Sequence, residues 1–273
     1  MEYHCTRREI LRRAALAVPA FQVGFAPWSL RRALATSEDR VNRFDKLRLA
    51  VKPDRLGDMR SFYQEVLNLP VIADDPRSLT IRAGGTQLSF YADVAGGSPF
   101  YHFAFNIPEN KLESAIEWMS TRAPLLKRKD GSPVVHFRWL DAHSIYFRDP
   151  AANLLEFIAH HALKNARPGD FKVTDILYAS EIGLVTDDVP ALAAELDTKL
   201  NLTNYHTKLG EPVSDTFRPI GDPYGFFIVV KHKRKWLMTD DPAGLFPVGA
   251  ELHGGARRQL RLENCDCVLS VAD

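Results

Sequence analysis

A single acidic residue interrupts an apolar stretch in the middle of the chain. Glu156 lies among Leu154, Leu155, Phe157 and Ile158, in a run rich enough in apolar side chains to form a buried strand. A carboxylate in such a strand costs free energy unless another group pairs with it. The sequence therefore predicts a partner for Glu156.

The elements that must position Glu156 belong to a sequence repeat. Each unit reads strand, helix, strand, strand, strand, judged from apolar runs and from apolar residues on one helix face. The units begin near residues 47, 101 and 180, and residues 221–230 of the third unit echo the stretch around Glu156. The apolar helix face of the first unit consists of Met59, Phe62, Tyr63, Val66 and Leu67.

This order of elements predicts an α+β fold of repeated βαβββ units. Two units are expected to form an open, barrel-like sheet around a cavity, with a third partial unit packed beside it. We expect domains at 36–165 for the first two units and 173–240 for the third, followed by a C-terminal tail at 241–273 with weak strand signals. The third unit would then pack on the first barrel, pair with a second chain in a homodimer, or use the tail as an improvised fourth unit.

Composition and charge exclude several classes of protein. The chain has 273 residues, 45% hydrophobic and 25% charged, with a formal net charge of +1, which is typical of an ordered globular protein. One short basic run, 231–236, is a weak signal for nucleic-acid binding. We therefore expect a small-molecule partner and no nucleic acid. Three cysteines are too few for a zinc cage. Cys265 and Cys267 are interpreted as thiols that could close a small loop on oxidation.

Residues 1–35 are predicted to be a twin-arginine-type export signal. Arg7 and Arg8 follow Thr6, and an uncharged stretch at 14–30 comes next. Two prolines interrupt that stretch, and it is too short for a comfortable transmembrane helix. Residues 33–35, Ala-Leu-Ala, offer a cleavage site. Export would place the mature chain in the periplasm or another extracytoplasmic space, with no membrane attachment. The alternative is a basic extension on a cytoplasmic protein.

The stretch from Tyr146 to Glu156, YFRDPAANLLE, together with the repeat, resembles the vicinal oxygen chelate superfamily. Its members include glyoxalase I, fosfomycin- and bleomycin-resistance proteins, and extradiol ring-cleaving dioxygenases. The resemblance covers roughly residues 46–230. It implies a divalent metal held by residues on the first strand of each unit and by a glutamate on the second unit's last strand. At the second unit's positions this chain has His102 and Glu156, and both side chains suit a transition metal.

The other positions depart from the family pattern. The first unit has Lys46 or Arg48 where a histidine is usual, and its last strand has a serine in the matching place. The third unit has Glu181 at the position of His102 but Ile228 where a glutamate would stand. We interpret Glu181 as a structural acid.

The resemblance also supplies candidates for the rest of the site. Two histidines and one carboxylate with open positions would suit an iron(II) oxygenase, and His136 and His143 are candidates for the missing ligand. By the same resemblance, these histidines are candidate catalytic acids or bases, and the Tyr146 hydroxyl is a candidate donor to a bound oxygen. Iron(II) is the favoured metal, with manganese, zinc or nickel as alternatives.

Two functions from different classes follow. The first is a metal-dependent enzyme resembling extradiol dioxygenases or glyoxalases, acting on a small molecule with vicinal oxygens. The second is a metal-free small-molecule binding protein of the same fold, in which Lys46 or Arg48 pairs with Glu156. Convergence of three or more candidate ligands would favour the enzyme. Three other histidines are interpreted as surface residues: His160, His161 and His206.

Overall fold

The computed structural model describes residues 43–93 and 97–272, which fall within one compact unit, Arg40–Asp273. The predicted export signal at 1–35 lies outside the described residues. The described part contains fourteen strands arranged in two seven-stranded mixed sheets, named here sheet I and sheet II. No helix in this part is long and apolar enough to cross a membrane.

The strands and helices follow the repeat closely. In chain order the strands are β1 (Phe44–Val51), β2 (Val71–Asp75), β3 (Ser78–Ala83), β4 (Thr86–Ala92), β5 (His102–Ile107), β6 (Val134–Phe137), β7 (Ala142–Arg148), β8 (Leu154–His160), β9 (Tyr178–Thr186), β10 (Phe217–Asp222), β11 (Gly225–Lys231), β12 (Val248–His253), β13 (Arg258–Leu262) and β14 (Cys267–Ala272). The helices are α1 (Leu56–Ser61), which continues as a π-helical turn (Phe62–Val66), α2 (Leu112–Ser120), α3 (Val189–Leu200) and α4 (Tyr205–Leu209).

The units pair across the chain in a nested order. Sheet I has the strand order β13-β14-β12-β1-β4-β3-β2, so the first unit pairs with the C-terminal strands. Sheet II has the order β10-β11-β9-β5-β8-β7-β6, so the second unit pairs with the third. In both sheets the first strands of the two units run antiparallel, β1 beside β12 and β5 beside β9.

The α+β class and the repeated βαβββ units are confirmed. Within the two sheets, β1 and β5 of the first two units lie apart, one in each sheet, and the domain bounds 36–165 and 173–240 stay predictions. The tail at 241–273 supplies β12, β13 and β14 and is the improvised fourth unit, which has strands but no helix among its described residues. The packing need from which a homodimer was inferred is therefore met within one chain. Cys265, which precedes β14, and Cys267, the first residue of β14, form a disulfide rather than two free thiols.

Strand alternation separates two apolar clusters. On β5, Phe103 and Phe105 belong to the main core, which also includes residues of sheet I and of α1, α2 and α3. Ala104, on the opposite face, belongs to a smaller cluster that covers the other side of sheet II. Because successive side chains of a strand point to opposite faces, the second face of sheet II is a separate, partly apolar surface. We call it the concave face of sheet II.

A buried turn sets the start of β8. The Asp149 carboxylate accepts hydrogen bonds from the backbone N–H groups of Ala151 and Asn153, both at 3.0 Å. The Tyr63 hydroxyl donates to the same carboxylate at 2.9 Å, which ties the first unit to this turn. Ala152 completes the turn with φ 65°, in the left-handed region that is uncommon for a residue with a Cβ atom. The turn thereby holds the register of the strand that carries Glu156.

Candidate metal centre

Two carboxylates lie side by side across three neighbouring strands of sheet II, at the same level along the strands. Ala104 on β5 lies opposite Glu156 on β8 and opposite Glu181 on β9. The methyl side chain of Ala104 leaves space between them, and the two glutamates converge over it. His102 stands two positions earlier on β5, on the same face. The three side chains therefore meet on the concave face because of strand register, although they are far apart in sequence.

The three side chains form a buried cluster with short separations. Nε2 of His102 lies 3.6 Å from Oε2 of Glu156 and 3.6 Å from Oε2 of Glu181. One ligand atom from each residue lies within 4.8 Å of the other two, and this is the cluster of metal-ligating type within the described residues. Glu156 is 1% exposed, and His102 and Glu181 are each 5% exposed. Atoms each about 2.0–2.2 Å from one metal ion lie roughly 3–4 Å apart, so the two 3.6 Å separations from His102 fit a shared ion.

A backbone contact orients the His102 ring. Nδ1 lies 3.1 Å from the carbonyl oxygen of Leu154, a partner that can only accept a hydrogen bond. Nδ1 therefore carries the proton, and Nε2 presents its lone pair to the two carboxyl groups. Burial lowers the pKa of His102, which keeps the ring neutral. A neutral imidazole with its free nitrogen aimed at carboxylates is the protonation state that a metal ligand needs.

In the part of the chain that the structure describes, no lysine or arginine stabilises the charge of the two carboxyl groups. Burial, and then the charge of Glu181, raise the pKa of Glu156 to about 8, while burial raises the pKa of Glu181 to about 8. Among residues 43–93 and 97–272, no lysine or arginine forms an ion pair with either group. Oε1 of Glu156 is buried, and no hydrogen-bond partner for it occurs in the same ranges. A divalent ion would satisfy both groups, so the residues present fit a metal.

The basic side chains expected opposite Glu156 lie elsewhere. Lys46 and Arg48 are on β1 in sheet I, where Lys46 pairs with Glu251 at 2.8 Å and Arg48 lies 3.9 Å over the ring of Tyr91. The interpretation of Glu156 as a salt-bridge partner of these cations is therefore wrong. That interpretation requires the first and second units to surround one cavity, whereas β1 and β5 lie in different sheets.

Strand register also explains which unit can hold a metal. His102 is opposite Leu154 and Glu156 follows two positions later, and in the third unit Glu181 is opposite Phe226 and Ile228 follows two positions later. The third unit thus supplies one candidate ligand where the second supplies two. In sheet I, Lys46 lies opposite Gln87 and the matching residue two positions later is Ser89, so the first unit supplies none.

A cavity of about 230 Å³ opens over the cluster on the concave face. We call it the sheet II cavity. Its lining residues come from the sheet II strands, from the turn between β6 and β7, and from the segment after β11: His102, Phe137, Trp139, Leu140, Tyr146, Glu156, Glu181, Phe217, Ile228, Arg234, Trp236 and Leu237. The lining is mostly aromatic and aliphatic, with the three candidate ligands, Tyr146 and Arg234 as its polar members. This composition is typical of a small-molecule site.

Of the three predicted catalytic residues, only Tyr146 lines the cavity. Tyr146 is opposite Glu156 in the β7–β8 register, and burial followed by the charges of Glu156 and Glu181 raises its pKa well above the usual value. Its hydroxyl therefore keeps its proton and can act as a hydrogen-bond donor. His143 is an odd number of positions from Tyr146 on the same strand and points to the opposite face.

His136 and His143 form a separate group at the sheet surface. Their rings stack with centroids 4.1 Å apart, and Nδ1 of His143 lies 2.7 Å from Nε2 of His161. Neither ring lines the sheet II cavity. The structure does not bring either histidine to His102 and Glu156, so their roles as third ligand or as catalytic acids stay predictions, and Glu181, interpreted above as a structural acid, is the side chain that lies beside those two residues. The sequence signal for Glu181 was its equivalence to His102 in the repeat.

Two of the remaining histidines are more enclosed than expected. His160 is fully buried, with no hydrogen-bond partner for either ring nitrogen in the described ranges, and burial lowers its pKa to about 3. His160 is four positions after Glu156 on β8, an even number, so its side chain also lies on the concave face. The ring nitrogens of His206 are also buried, and its ring packs edge-on against Trp139 with centroids 4.6 Å apart.

A short hairpin after β11 places an indole beside the cluster. Trp236 lies with its ring centroid 5.1 Å from that of His102. Its close approach depends on Gly183 of β9, because a Cβ atom there would be 2.6 Å from Cη2 of Trp236. The hairpin is held by backbone hydrogen bonds between Lys233 and Ala243 and between Ala243 and Arg234, both at 2.8 Å. Gly183 therefore shapes the cavity wall through the residue that it admits.

Comparison with known proteins supports the fold. No family model matches the sequence, and no curated protein matches it in sequence. A structure of a proposed dioxygenase from Bacillus subtilis is similar over 86% of each chain, with 13% identity and a TM-score of 0.54. A glyoxalase I variant from Zea mays covers 86% of this chain and 94% of its own, with 11% identity and a TM-score of 0.47.

A third solved structure matches part of the chain. A fosfomycin resistance protein variant from Listeria monocytogenes, solved with Mn(II), covers 43% of this chain and 90% of its own, with 20% identity and a TM-score of 0.33. At such identities the likeness concerns the fold. The chain shares the fold of the proposed dioxygenase structure, which agrees with the fold that the family resemblance implied.

Proposed function

We propose that the protein is a metal-dependent enzyme whose ion is held by His102, Glu156 and Glu181. The observation that carries this proposal is the meeting of one neutral imidazole nitrogen and two buried carboxyl groups within 4.8 Å of one another. Burying two acids without a cation is costly, and their raised pKa values express that cost. A divalent ion offsets it, and three protein ligands leave coordination positions for a substrate.

The substrate proposed is a small molecule with two neighbouring oxygen atoms, as in reactions of the dioxygenase or glyoxalase type. A bound divalent metal would supply Lewis acidity and a template for the two oxygens. The chain's own residues have complementary roles. His102, Glu156 and Glu181 hold the ion, the protonated Tyr146 hydroxyl donates a hydrogen bond towards Glu156 or a substrate oxygen, and the apolar cavity walls exclude water.

The donor set bears on the choice of metal. Two carboxylates and one imidazole are harder donors than the two histidines and one carboxylate expected from the sequence. Iron(II) remains compatible with this donor set. Manganese(II) becomes a stronger candidate, because the third donor is the carboxylate of Glu181 and not a histidine. Zinc and nickel are weaker candidates because they favour nitrogen or sulfur donors. The metal-free alternative loses its basis, since the Lys46 or Arg48 pair with Glu156 on which it rested does not form.

Metal stoichiometry tests the proposal directly. The full chain, treated with chelator and then loaded with Mn(II) or anaerobic Fe(II), should retain about one equivalent after desalting, as measured by elemental analysis. The Glu156→Gln variant should retain little, because it removes one ligand while keeping the shape of the side chain. Glu251→Gln, in the sheet I pair with Lys46, is the matched control and should bind like the parent. A parent protein that retains no metal would refute the proposal.

We also propose that residues 1–35 direct export. The proposal is supported by the Arg7-Arg8 pair and the uncharged stretch that follows. Replacement of both arginines by lysine should leave the chain in the cytoplasmic fraction of a bacterial host that exports the parent. Equal distribution of parent and variant between fractions would contradict it.

A further inference from the structure

Arg234 is the cation that lines the sheet II cavity, and it has no acidic partner among the described residues. Arg234 lies on the hairpin after β11, and it lines the same cavity as His102, Glu156 and Glu181. Within residues 43–93 and 97–272, no carboxylate lies within ion-pair distance of its guanidinium, whereas the neighbouring Lys235 pairs with Asp240 at 2.6 Å. The absence of a protein partner distinguishes Arg234 from the surface arginines that balance nearby acids.

Two contacts hold the guanidinium of Arg234 in place. Its Cζ atom lies 5.2 Å from the ring centroid of Phe217, and Nη1 donates one long hydrogen bond of 3.3 Å to the carbonyl of Lys235. A guanidinium has five N–H donors, so most of its donor capacity is left for another group. Partial burial lowers the pKa of Arg234, which shows that its charge is held partly away from water. The hairpin that carries it is pinned by an ion pair between Arg148 and Asp241.

The charge balance of the cavity shows what this cation would recognise. With a divalent ion bound, the ionised Glu156 and Glu181 cancel its two positive charges, and His102 is neutral. The positive charge of Arg234 is then not cancelled, so the cavity has a net charge of +1 among mostly apolar side chains. A charge held in this way is stabilised by a ligand of opposite sign and is costly without one.

We propose that the sheet II cavity takes a small monoanionic ligand, with Arg234 binding a carboxylate or similar anionic group and the aromatic walls packing against an apolar body. The proposal rests on the metal-dependent function above and names the substrate class for the same site. The cavity volume of about 230 Å³ is smaller than the usual range for drug-sized ligands, so the ligand is a compact one. A planar guanidinium fork is the donor that suits a carboxylate.

Calorimetric titration of the metal-loaded full chain tests this proposal, with benzoate and benzamide as probes. The two probes have the same size and shape, and only benzoate is charged. Benzoate should bind at least about tenfold more tightly than benzamide to the parent. Arg234→Gln should remove that preference, and Arg234→Lys should retain part of it, since a charge-assisted hydrogen bond is worth about ten- to a hundredfold in affinity.

The controls separate this proposal from the one on which it rests. Arg128→Gln removes a surface arginine that pairs with Asp130 and should leave benzoate binding unchanged. Metal content, measured in each variant, should be unaffected by Arg234→Gln. Stoichiometric metal together with equal benzoate affinity in the parent and Arg234→Gln would overturn the anion proposal and leave the metal site standing. Failure of the parent to bind metal would overturn both.

Discussion

Glu156 and Glu181 lie on opposite sides of Ala104 in one row of sheet II, and each has a carboxylate oxygen 3.6 Å from Nε2 of His102. No lysine or arginine pairs with these two buried acids among the described residues. Ionisation of either acid therefore costs free energy, and their pKa values are raised. Their common solution in the proposed holoprotein is one ion. The relationship also ties the second and third units of the chain together through chemistry as well as through strand pairing.

Glu181 is predicted to be as important for metal binding as Glu156. Glu181→Gln should weaken metal affinity by about a hundredfold or more, because loss of a direct ligand should exceed the tenfold to hundredfold cost typical of outer-shell partners. Glu181→His, which restores two histidines and one carboxylate, should keep stoichiometric metal. Calorimetry and elemental analysis measure both. Unchanged affinity in Glu181→Gln would show that this residue is a bystander.

Metal binding is predicted to release protons near neutral pH. The pKa values of Glu156 and Glu181 are each raised to about 8 without metal, so both groups are largely protonated at neutral pH and must lose their protons to become ligands. Affinity should therefore rise with pH up to about pH 8 and then level off. Titrations in buffers of different ionisation enthalpy count the protons, and between one and two are expected per ion. Release of none would mean that the acids are already ionised.

Gly183→Ala is predicted to disturb the cavity wall. The new Cβ atom would meet the Trp236 ring at 2.6 Å, so the indole must move, at a cost of about 1–3 kcal/mol in the free energy of unfolding. Gly57→Ala is the matched control, because a Cβ at Gly57 in α1 meets no atom within 4 Å, and alanine should stabilise the helix by about 0.5–1 kcal/mol. Urea unfolding compares the two variants. Equal effects would contradict the proposed packing.

His160 is predicted to make the protein acid-sensitive. Its pKa is lowered to about 3 in the folded state and is about 6.5 when unfolded, so the unfolded state binds more protons below about pH 6.5. Stability should therefore fall as the pH is lowered from 6.5 towards 3, by up to ~1.4 kcal/mol per pH unit from this residue. His160→Leu should remove that part of the slope in urea unfolding at several pH values. Parallel slopes for the parent and His160→Leu would show that the ring gains a proton without loss of stability.

The local patterns of the sequence predicted most of the strands, and the family resemblance supplied the first two candidate ligands, His102 and Glu156. Alternation along β8 could also have placed His160 beside Glu156, and alternation along β7 could have excluded His143, because parity on a strand is a local property. The choice of partner strands could not be predicted in the same way. β5 could pair with β1 or with β9, and that choice depends on packing between segments that are distant in the chain. The apolar pattern of the tail is weak, so the sequence did not predict β12 as the partner strand of β1.

The nested pairing of the units has a consequence for the order in which the protein can assemble on the ribosome. Sheet II is built from one continuous stretch, 102–231, and all its strands are available once that stretch has emerged. β1 emerges first but must wait for β12, about two hundred residues later, before its open edge is covered. Closing so long a loop slows folding more than it costs in stability. The segment that holds the candidate ligands can thus fold while the N-terminal strands still present an unpaired edge, and that edge is the point at which an incompletely synthesised chain is most exposed to association with other chains.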